Sequence, residues 1–453
     1  MTTGKDFSDL SDVIDSEMCI GCGACVLADE SVELILDPDS LTYRPSTVGN
    51  PAAASVCPAI EVDFEALHEF VFPGEPVTPH GVVHEVLLAQ STNEERNLTA
   101  SSGGLIKEML HALLARPEID GVIALAEVGG LDYRARLVTS PDEIDSLPGS
   151  IYHAIRLDDA LALLAANEGR YVLVGIPCQL EGTYNYISKL RPELRDRIAM
   201  TIGLLCGWLY SHHAIEAISK FKRLDSNDIR HIAYRGGGPV GKLRIETDRR
   251  SLAIGRRVSF DYQVAFDRSF NTPRCHLCVN HSNFLADIVV GDAWLPSTVT
   301  TRSGISLLIC RTPDSQALVA SLRDSGRINL VQASVDDITE SQTRRVVFGD
   351  FAYAYAEHLE SLGRHRPLMI GPNRTETALR GPAEVTKFTR ELDRKRELQR
   401  QRRYRTLWWR KATKELPKHL RRYVSWFLVR VLRVRSLTGQ RAEPTRNEMS
   451  VFR

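Results

Sequence analysis

From Gly81 onward, short runs rich in β-branched and other apolar residues alternate with stretches whose apolar positions recur at helical spacing. The clearest runs, at 82–88, 121–125, 171–174 and 200–205, predict strands. Between the first two, Leu105, Ile106, Met109, Leu110, Leu113 and Leu114 share one face of a predicted helix. Strand and helix in alternation point to βαβ units around a mixed, largely parallel sheet, so the fold class is α/β, or α+β once the flanking segments are counted. Two breaks interrupt the pattern. Pro73-Gly-Glu-Pro-Val-Thr-Pro79 reads as a linker behind a small module at 1–72, and the stretch from Gly371-Pro-Asn to Gly381-Pro382 closes the main region, 80–370. Residues 383–453 then form a basic, aromatic tail of helical character.

The chain has 453 residues, room for roughly three domains, and its formal net charge of zero hides an asymmetry. Residues 387–441 hold 19 Lys and Arg against four Asp and Glu, so this stretch carries +15 and the rest −15. Trp408, Trp409, Tyr423, Trp426 and Phe427 interleave with those cations. The apolar run 423–429 stops at Arg430, too short to span a bilayer, but it suits an interfacial helix on anionic lipid. Docking on an acidic partner, the protein's own acidic body included, is the alternative. No helix-turn-helix pattern supports nucleic acid as a partner. The polar, acidic opening 1–18 has no signal-peptide pattern, and the expected location is cytoplasmic, with the tail at the inner membrane face.

With no secretory context, the nine cysteines read as metal ligands first. Cys19-Ile-Gly-Cys22-Gly-Ala-Cys25 brings three thiols onto one loop that Gly21 and Gly23 allow to bend, and Cys57-Pro58 supplies a fourth. A compact triplet plus a remote cysteine fits a 4Fe-4S cubane, whereas zinc sites usually pair cysteines two by two. A two-cluster ferredoxin would continue with another cysteine where Asp29 stands, so this module is expected to hold one cluster.

A second set is scattered. Gly175-Ile-Pro-Cys178-Gln and Cys206-Gly-Trp each follow a predicted strand, and parallel neighbours would bring both loops to one carboxyl edge. Cys275-His-Leu-Cys278 adds a pair on a turn, completing four thiols for an iron-sulfur cluster or zinc, against the plainer reading of buried free cysteines. Cys310 ends an apolar run and reads as a small buried hydrophobe. The loop Ala100-Ser101-Ser102-Gly103-Gly104 opens a predicted helix, a place where backbone N–H groups bind phosphate and equally an ordinary capped loop. No Gly-x-Gly-x-x-Gly fingerprint is present. Tyr234-Arg235-Gly236-Gly and Ala286-Asp-Ile-Val-Val-Gly-Asp292 offer Arg235 to a phosphate and Asp292 to a ribose or ring nitrogen, though turn chemistry explains both. His153, His212, His213, His276 and His281 lack metal-ligand spacing.

Taken together and in order, Ser101-Ser-Gly-Gly, Gly175-Ile-Pro-Cys-Gln, Leu205-Cys-Gly, Tyr234-Arg-Gly, the Cys275/Cys278 pair and Ala286-Asp-Ile-Val-Val-Gly-Asp resemble the coenzyme F-420 hydrogenase/dehydrogenase β-subunit family. That family includes deazaflavin-handling subunits of hydrogenases and formate dehydrogenases, and the ferredoxin-dependent hydroxymethyl chlorophyll reductase. The resemblance covers residues 1 to about 310. It implies an FAD flavoprotein with one or two 4Fe-4S clusters. By position, Ser101, Ser102, Gly103 and Gly104 become flavin contacts, with Arg235, Gly236 and Asp292 beside them, and Cys178, Cys206, Cys275 and Cys278 become a second cluster site. Lys107, Ile151 and Pro239 depart from the family's common threonine, lysine and tryptophan, which bears on donor and substrate. The expected function is an oxidoreductase passing electrons between a ferredoxin or reduced deazaflavin and a small organic substrate. An electron-relay subunit of a larger complex is the alternative. A cluster-based sensor is a third, weaker one.

Overall fold

The alternation from Gly81 onward folds as one eight-stranded sheet in a computed structural model that describes residues 8–238, 241–298, 303–371 and 381–415. Its strands are β1 (Glu85–Ser91), β2 (Gly121–Gly129), β3 (Asp132–Val138), β4 (Tyr171–Gly175), β5 (Ile198–Leu204), β6 (Ile288–Asp292), β7 (Ser306–Cys310) and β8 (Ile328–Gln332). Their spatial order is β8-β1-β7-β6-β5-β4-β2-β3. Parallel pairing is confined to the centre, β6-β5-β4-β2. The flanks are antiparallel, so the sheet is less parallel than the sequence pattern predicts. At the β3 edge the cause is local: Gly129 and Gly130, the latter at φ +61°, turn β2 straight back into β3, where a parallel partner would need a longer crossover.

Alternating residues separate the two faces of the sheet. Leu87, Val122, Val172, Ile202, Ile288 and Leu308 pack beneath α1 (Leu105–Leu114), whose Leu105, Met109, Leu110 and Leu113 are buried there. Val86, Ile123, Leu173, Val289, Leu307 and Ile309 face the other way, together with Leu180, Tyr184 and Ile187 of α2 (Pro177–Leu190). Cys310 is fully buried in the first layer, as a small apolar side chain.

The N-terminal module is clasped by elements from the far end of the chain. Leu10, Val13, Val32, Ala53 and Ile60 share a core with Phe351, Tyr355 and Leu359 of α3 (Val335–Ser361) and with Val385 and Leu392 of α4 (Pro382–Arg400). Leu368–Ile370 adds a parallel strand to Glu61–Asp63. Arg311, with no exposed surface, pins the exit from the linker by donating to the His80 and Ser282 carbonyls, both at 2.7 Å, and to that of Val82. Burial pulls its pKa down to about 9.

As far as Glu415, the tail docks on the protein's own body. Lys395 pairs with Asp267 at 2.8 Å and Arg400 with Glu17 at 2.7 Å. In α5 (Tyr404–Glu415), Tyr404 is buried against His213 and Glu216, and the Trp408 indole donates to Asp261 at 2.7 Å. These cations and aromatics therefore meet carboxylates of the same chain. Tyr423, Trp426, Phe427 and Arg430 lie outside the described residues, as does Pro239. No helix among the described residues is long and apolar enough to cross a membrane.

Candidate redox site

The first cysteine loop is shaped by its glycines. Gly21 and Gly23 stand at φ +72° and +82°, and a Cβ on Gly23 would lie 2.2 Å from the Asp158 Cα. The loop is thus pressed onto the body, and the Leu157 N–H donates to the Gly21 carbonyl at 2.8 Å. Cys19, Cys22, Cys25 and Cys57 are all buried. Burial pushes the Cys19 thiol up to about 12 and Cys57 to about 11. Cys22 and Cys25 are raised by burial and then by the other thiols of the set. The Gly21 N–H donates to Cys19 Sγ at 3.3 Å. Cys57 opposes ionisation of Cys19, Cys22 and Cys25, which places the remote cysteine beside the other three.

Cys178, Cys206, Cys275 and Cys278 also come together, at the carboxyl edge of the sheet. Cys178 sits in the first turn of α2, directly after β4, and Cys206 follows β5. The Cys275–Cys278 turn reaches them from the segment before β6. Cys178 is raised by burial and by Cys206, Cys275 and Cys278. Cys275 Sγ accepts from the Leu209 N–H at 3.3 Å and lies 3.1 Å from the Thr272 hydroxyl. All four are partly exposed, unlike the first set. Among the described residues, no group of three or more His, Cys, Asp and Glu is arranged to hold a single metal ion.

Helix α2 joins the two sets. A Cβ on Gly182 would stand 2.6 Å from Cys22 Sγ, and Cys178 lies one turn earlier on the same helix. On the other side of Cys206, Leu205 packs so closely that a Cβ on Gly291 would lie 2.4 Å from its own Cβ. Asp292, next along β6, grips Arg235 through two bonds of 2.8 and 3.0 Å. Arg235 also donates to the Tyr152 hydroxyl at 3.2 Å and lies 5.7 Å from the centre of the Trp294 ring. Arg235 and Asp292 thus pair with each other.

The loop Ser101–Gly104 is stitched to the same edge. Ser102 donates to the Ile305 carbonyl at 3.0 Å, and Ser306, the strand partner of Asp292, donates to the Ser102 hydroxyl at 3.1 Å. The Gly103 N–H donates to the Ser306 hydroxyl at 2.9 Å, while Ser101 accepts from the Ser150 N–H at 3.2 Å. Gly104, at φ +76°, enters α1. The hydroxyls therefore build the loop. Gly236, at φ +103°, lies against Thr99 just before this loop.

Two family models match this chain in succession, both for the beta subunit of coenzyme F-420 hydrogenase/dehydrogenase: its N-terminal part at residues 86–162 and its carboxyl-terminal part at 168–336. Together they span more than half of the chain. The chain belongs to the coenzyme F-420 hydrogenase/dehydrogenase beta-subunit family. It is similar to an F(420)H(2) dehydrogenase subunit of Methanosarcina mazei, with 22% identity over 318 residues, 65% of this chain and 82% of that one. It is similar also to the beta subunit of the coenzyme F-420 hydrogenase of Methanococcus voltae, with 21% identity over 266 residues, 57% of this chain and 88% of that one. A chain of the F-420-reducing NiFe hydrogenase complex from Methanosarcina barkeri aligns at 18% identity with a TM-score of 0.49, covering 65% of this chain and 98% of its own. Membership of the beta-subunit family makes this a redox protein of the hydrogenase/dehydrogenase type.

Within the two parts that define the beta-subunit family, the Ser101–Gly104 loop falls in the N-terminal one and Cys178, Cys206, Cys275 and Cys278 in the other. The first cysteine set and the basic tail lie outside both. Sequence reasoning passed over several neighbours of the site. Tyr152 and Trp294 flank Arg235, and buried His153 pairs its Nδ1 with the Tyr234 hydroxyl at 2.6 Å. Glu181 and Arg274 are buried between the cysteine sets. The available signal was proximity in the chain: Tyr234 opens the motif of Arg235, Tyr152 and Trp294 stand within two residues of Ile151 and Asp292, and Arg274 precedes Cys275.

Proposed function

We propose that this chain is an iron-sulfur flavoprotein oxidoreductase that exchanges electrons with a reduced deazaflavin or a ferredoxin and acts on a small organic substrate. What carries the reading is contiguity: Cys22 against Gly182, Cys178 on the same helix, then Cys206, Leu205 and Gly291, and finally Asp292 with Arg235. Cys19, Cys22, Cys25 and Cys57 would hold one 4Fe-4S cluster, and Cys178, Cys206, Cys275 and Cys278 a second. FAD would be bounded by Ser101, Ser102, Gly103, Gly104, Arg235, Gly236 and Asp292. Clusters exchange single electrons, and a flavin exchanges either single electrons or a hydride, so the set suits a path between one-electron and two-electron partners.

The chain's own residues do the rest. Burial of the first set excludes water, and the N–H bonds to Cys19 and Cys275 stabilise negative charge on sulfur. Arg235, 6% exposed, is held in orientation by Asp292 and Tyr152 and would bound a flavin at this edge. The ring faces of Tyr152 and Trp294 suit a flat aromatic ligand. Anaerobic addition of reduced deazaflavin, or of reduced ferredoxin, should bleach a flavin band in purified protein and transfer electrons to bound iron. Protein that carries no flavin and accepts electrons from neither donor would sink the reading. The relay alternative draws on the relatives' names, which describe subunits of larger enzymes. It predicts donor oxidation only when a second protein is present.

A further inference from the structure

Glu181 and Arg274 form a buried ion pair at the junction of the two cysteine sets. They are 1% and 3% exposed. Arg274 Nη1 donates to the Leu277 carbonyl at 3.0 Å, and its Nη2 lies 3.5 Å from Glu181 Oε2. Glu181 Oε1 accepts from Asn280 Nδ2 at 2.9 Å, while Oε2 has no hydrogen-bond partner among the described residues. A buried pair this long recovers little of the cost of taking two charges out of water, so its position points to a role other than stability.

The pair faces both sets at once. Arg274 directly precedes Cys275, and its bond to the Leu277 carbonyl ties it to the residue before Cys278. Glu181 follows Cys178 by three residues on α2, about one turn along the helix. Glu181 also precedes Gly182, the residue against which Cys22 rests. A fixed cation in a poorly screened interior stabilises whichever neighbouring group has gained an electron, and a fixed anion destabilises it.

We propose that Arg274 and Glu181 are positioning residues that set the reduction potentials of the two cysteine-held sites with opposite signs, Arg274 raising both and Glu181 lowering both. The step they tune is the gain of one electron, with no bond made or broken. This rests on the two-cluster reading above. The test is redox-poised EPR on anaerobically purified full-length protein, at alkaline pH, for wild type, Arg274→Gln, Arg274→Lys and Glu181→Gln.

Arg274→Gln should move both midpoints downward, Arg274→Lys should restore them, and Glu181→Gln should move them upward. Glutamine at 181 keeps the carbonyl that accepts from Asn280, so the change is one of charge. Shifts of the same sign in both neutral variants, or no shift with the clusters retained, would overturn the proposal. Should Arg274→Gln lose its iron, Glu181→Gln decides: an upward shift supports the assignment, and an unchanged or lower midpoint overturns it. Wild-type protein without any cluster signal would count against the two-cluster reading itself, a different failure.

Discussion

In the first cysteine set, three of the four thiols come from the single loop Cys19–Cys25, curled by two glycines at positive φ and sealed beneath the body. In the second, Cys178, Cys206 and the Cys275–Cys278 pair arrive from three separate loops and stay partly exposed. One site is made by local backbone geometry. The other is made by topology: β4 and β5 are parallel neighbours, so the loops behind them emerge side by side. Under the proposed reading the difference would give them different work. A sealed site suits passage of electrons through the protein, and an open one beside Asp292 and Arg235 suits exchange with a bound ligand.

The largest effect that could break this contrast is loss of one site without the other. Cys22→Ser should remove about half of the bound iron, and Cys206→Ser about the other half, as one cubane of two is lost each time. Iron and sulfide assays on each variant check this. Either replacement emptying both sites would mean that they are not independent.

The glycines sharpen the comparison at the next level. Gly23→Ala combines a positive φ with a Cβ 2.2 Å from the Asp158 Cα, and should cost about 3 kcal/mol in denaturant unfolding. Gly182→Ala meets Cys22 Sγ at 2.6 Å and should cost ~1–3 kcal/mol while disturbing iron in the first site only.

A smaller effect comes from pH. Burial, followed by the neighbouring His212, pulls His153 down from 6.5 to about 3, against the opposing bond to the Leu131 carbonyl. The unfolded chain therefore binds this proton more readily than the folded one. Its stabilising contribution is present in full above pH 6.5 and is lost as pH falls toward 3, by up to about 1.4 kcal/mol per pH unit. His153→Gln should flatten the slope of stability against pH over that window by about one proton. Smallest of all, Arg400→Ala removes a half-exposed pair with Glu17 and should change stability by less than about 1 kcal/mol, an effect that added salt erases.

What the sequence could reveal followed the same division. That Cys19, Cys22 and Cys25 would lie together on one loop was legible from spacing alone, since a loop of that length admits few geometries. Cys178 and Cys206 were legible once two strands were expected ahead of them. The antiparallel β2–β3 edge was not, because Gly129 and Gly130 look alike in a hairpin and in a longer loop. Nor was the mutual pairing of Arg235 and Asp292, which stand far apart in the chain and meet only through β6 and the turn after Ala233. The docking of Lys395, Arg400 and Trp408 on Asp267, Glu17 and Asp261 was equally hidden, because a basic aromatic helix has the same pattern whether it meets lipid or carboxylate.

The central claim is two iron-sulfur sites of different construction in one chain. Iron, acid-labile sulfide and zinc, counted per chain in anaerobically purified protein, test it most directly. About eight irons and as many sulfides, with no zinc, is the predicted result. About four irons accompanied by zinc would contradict it, leaving the second cysteine set a structural zinc site and the path toward Arg235 without its middle step.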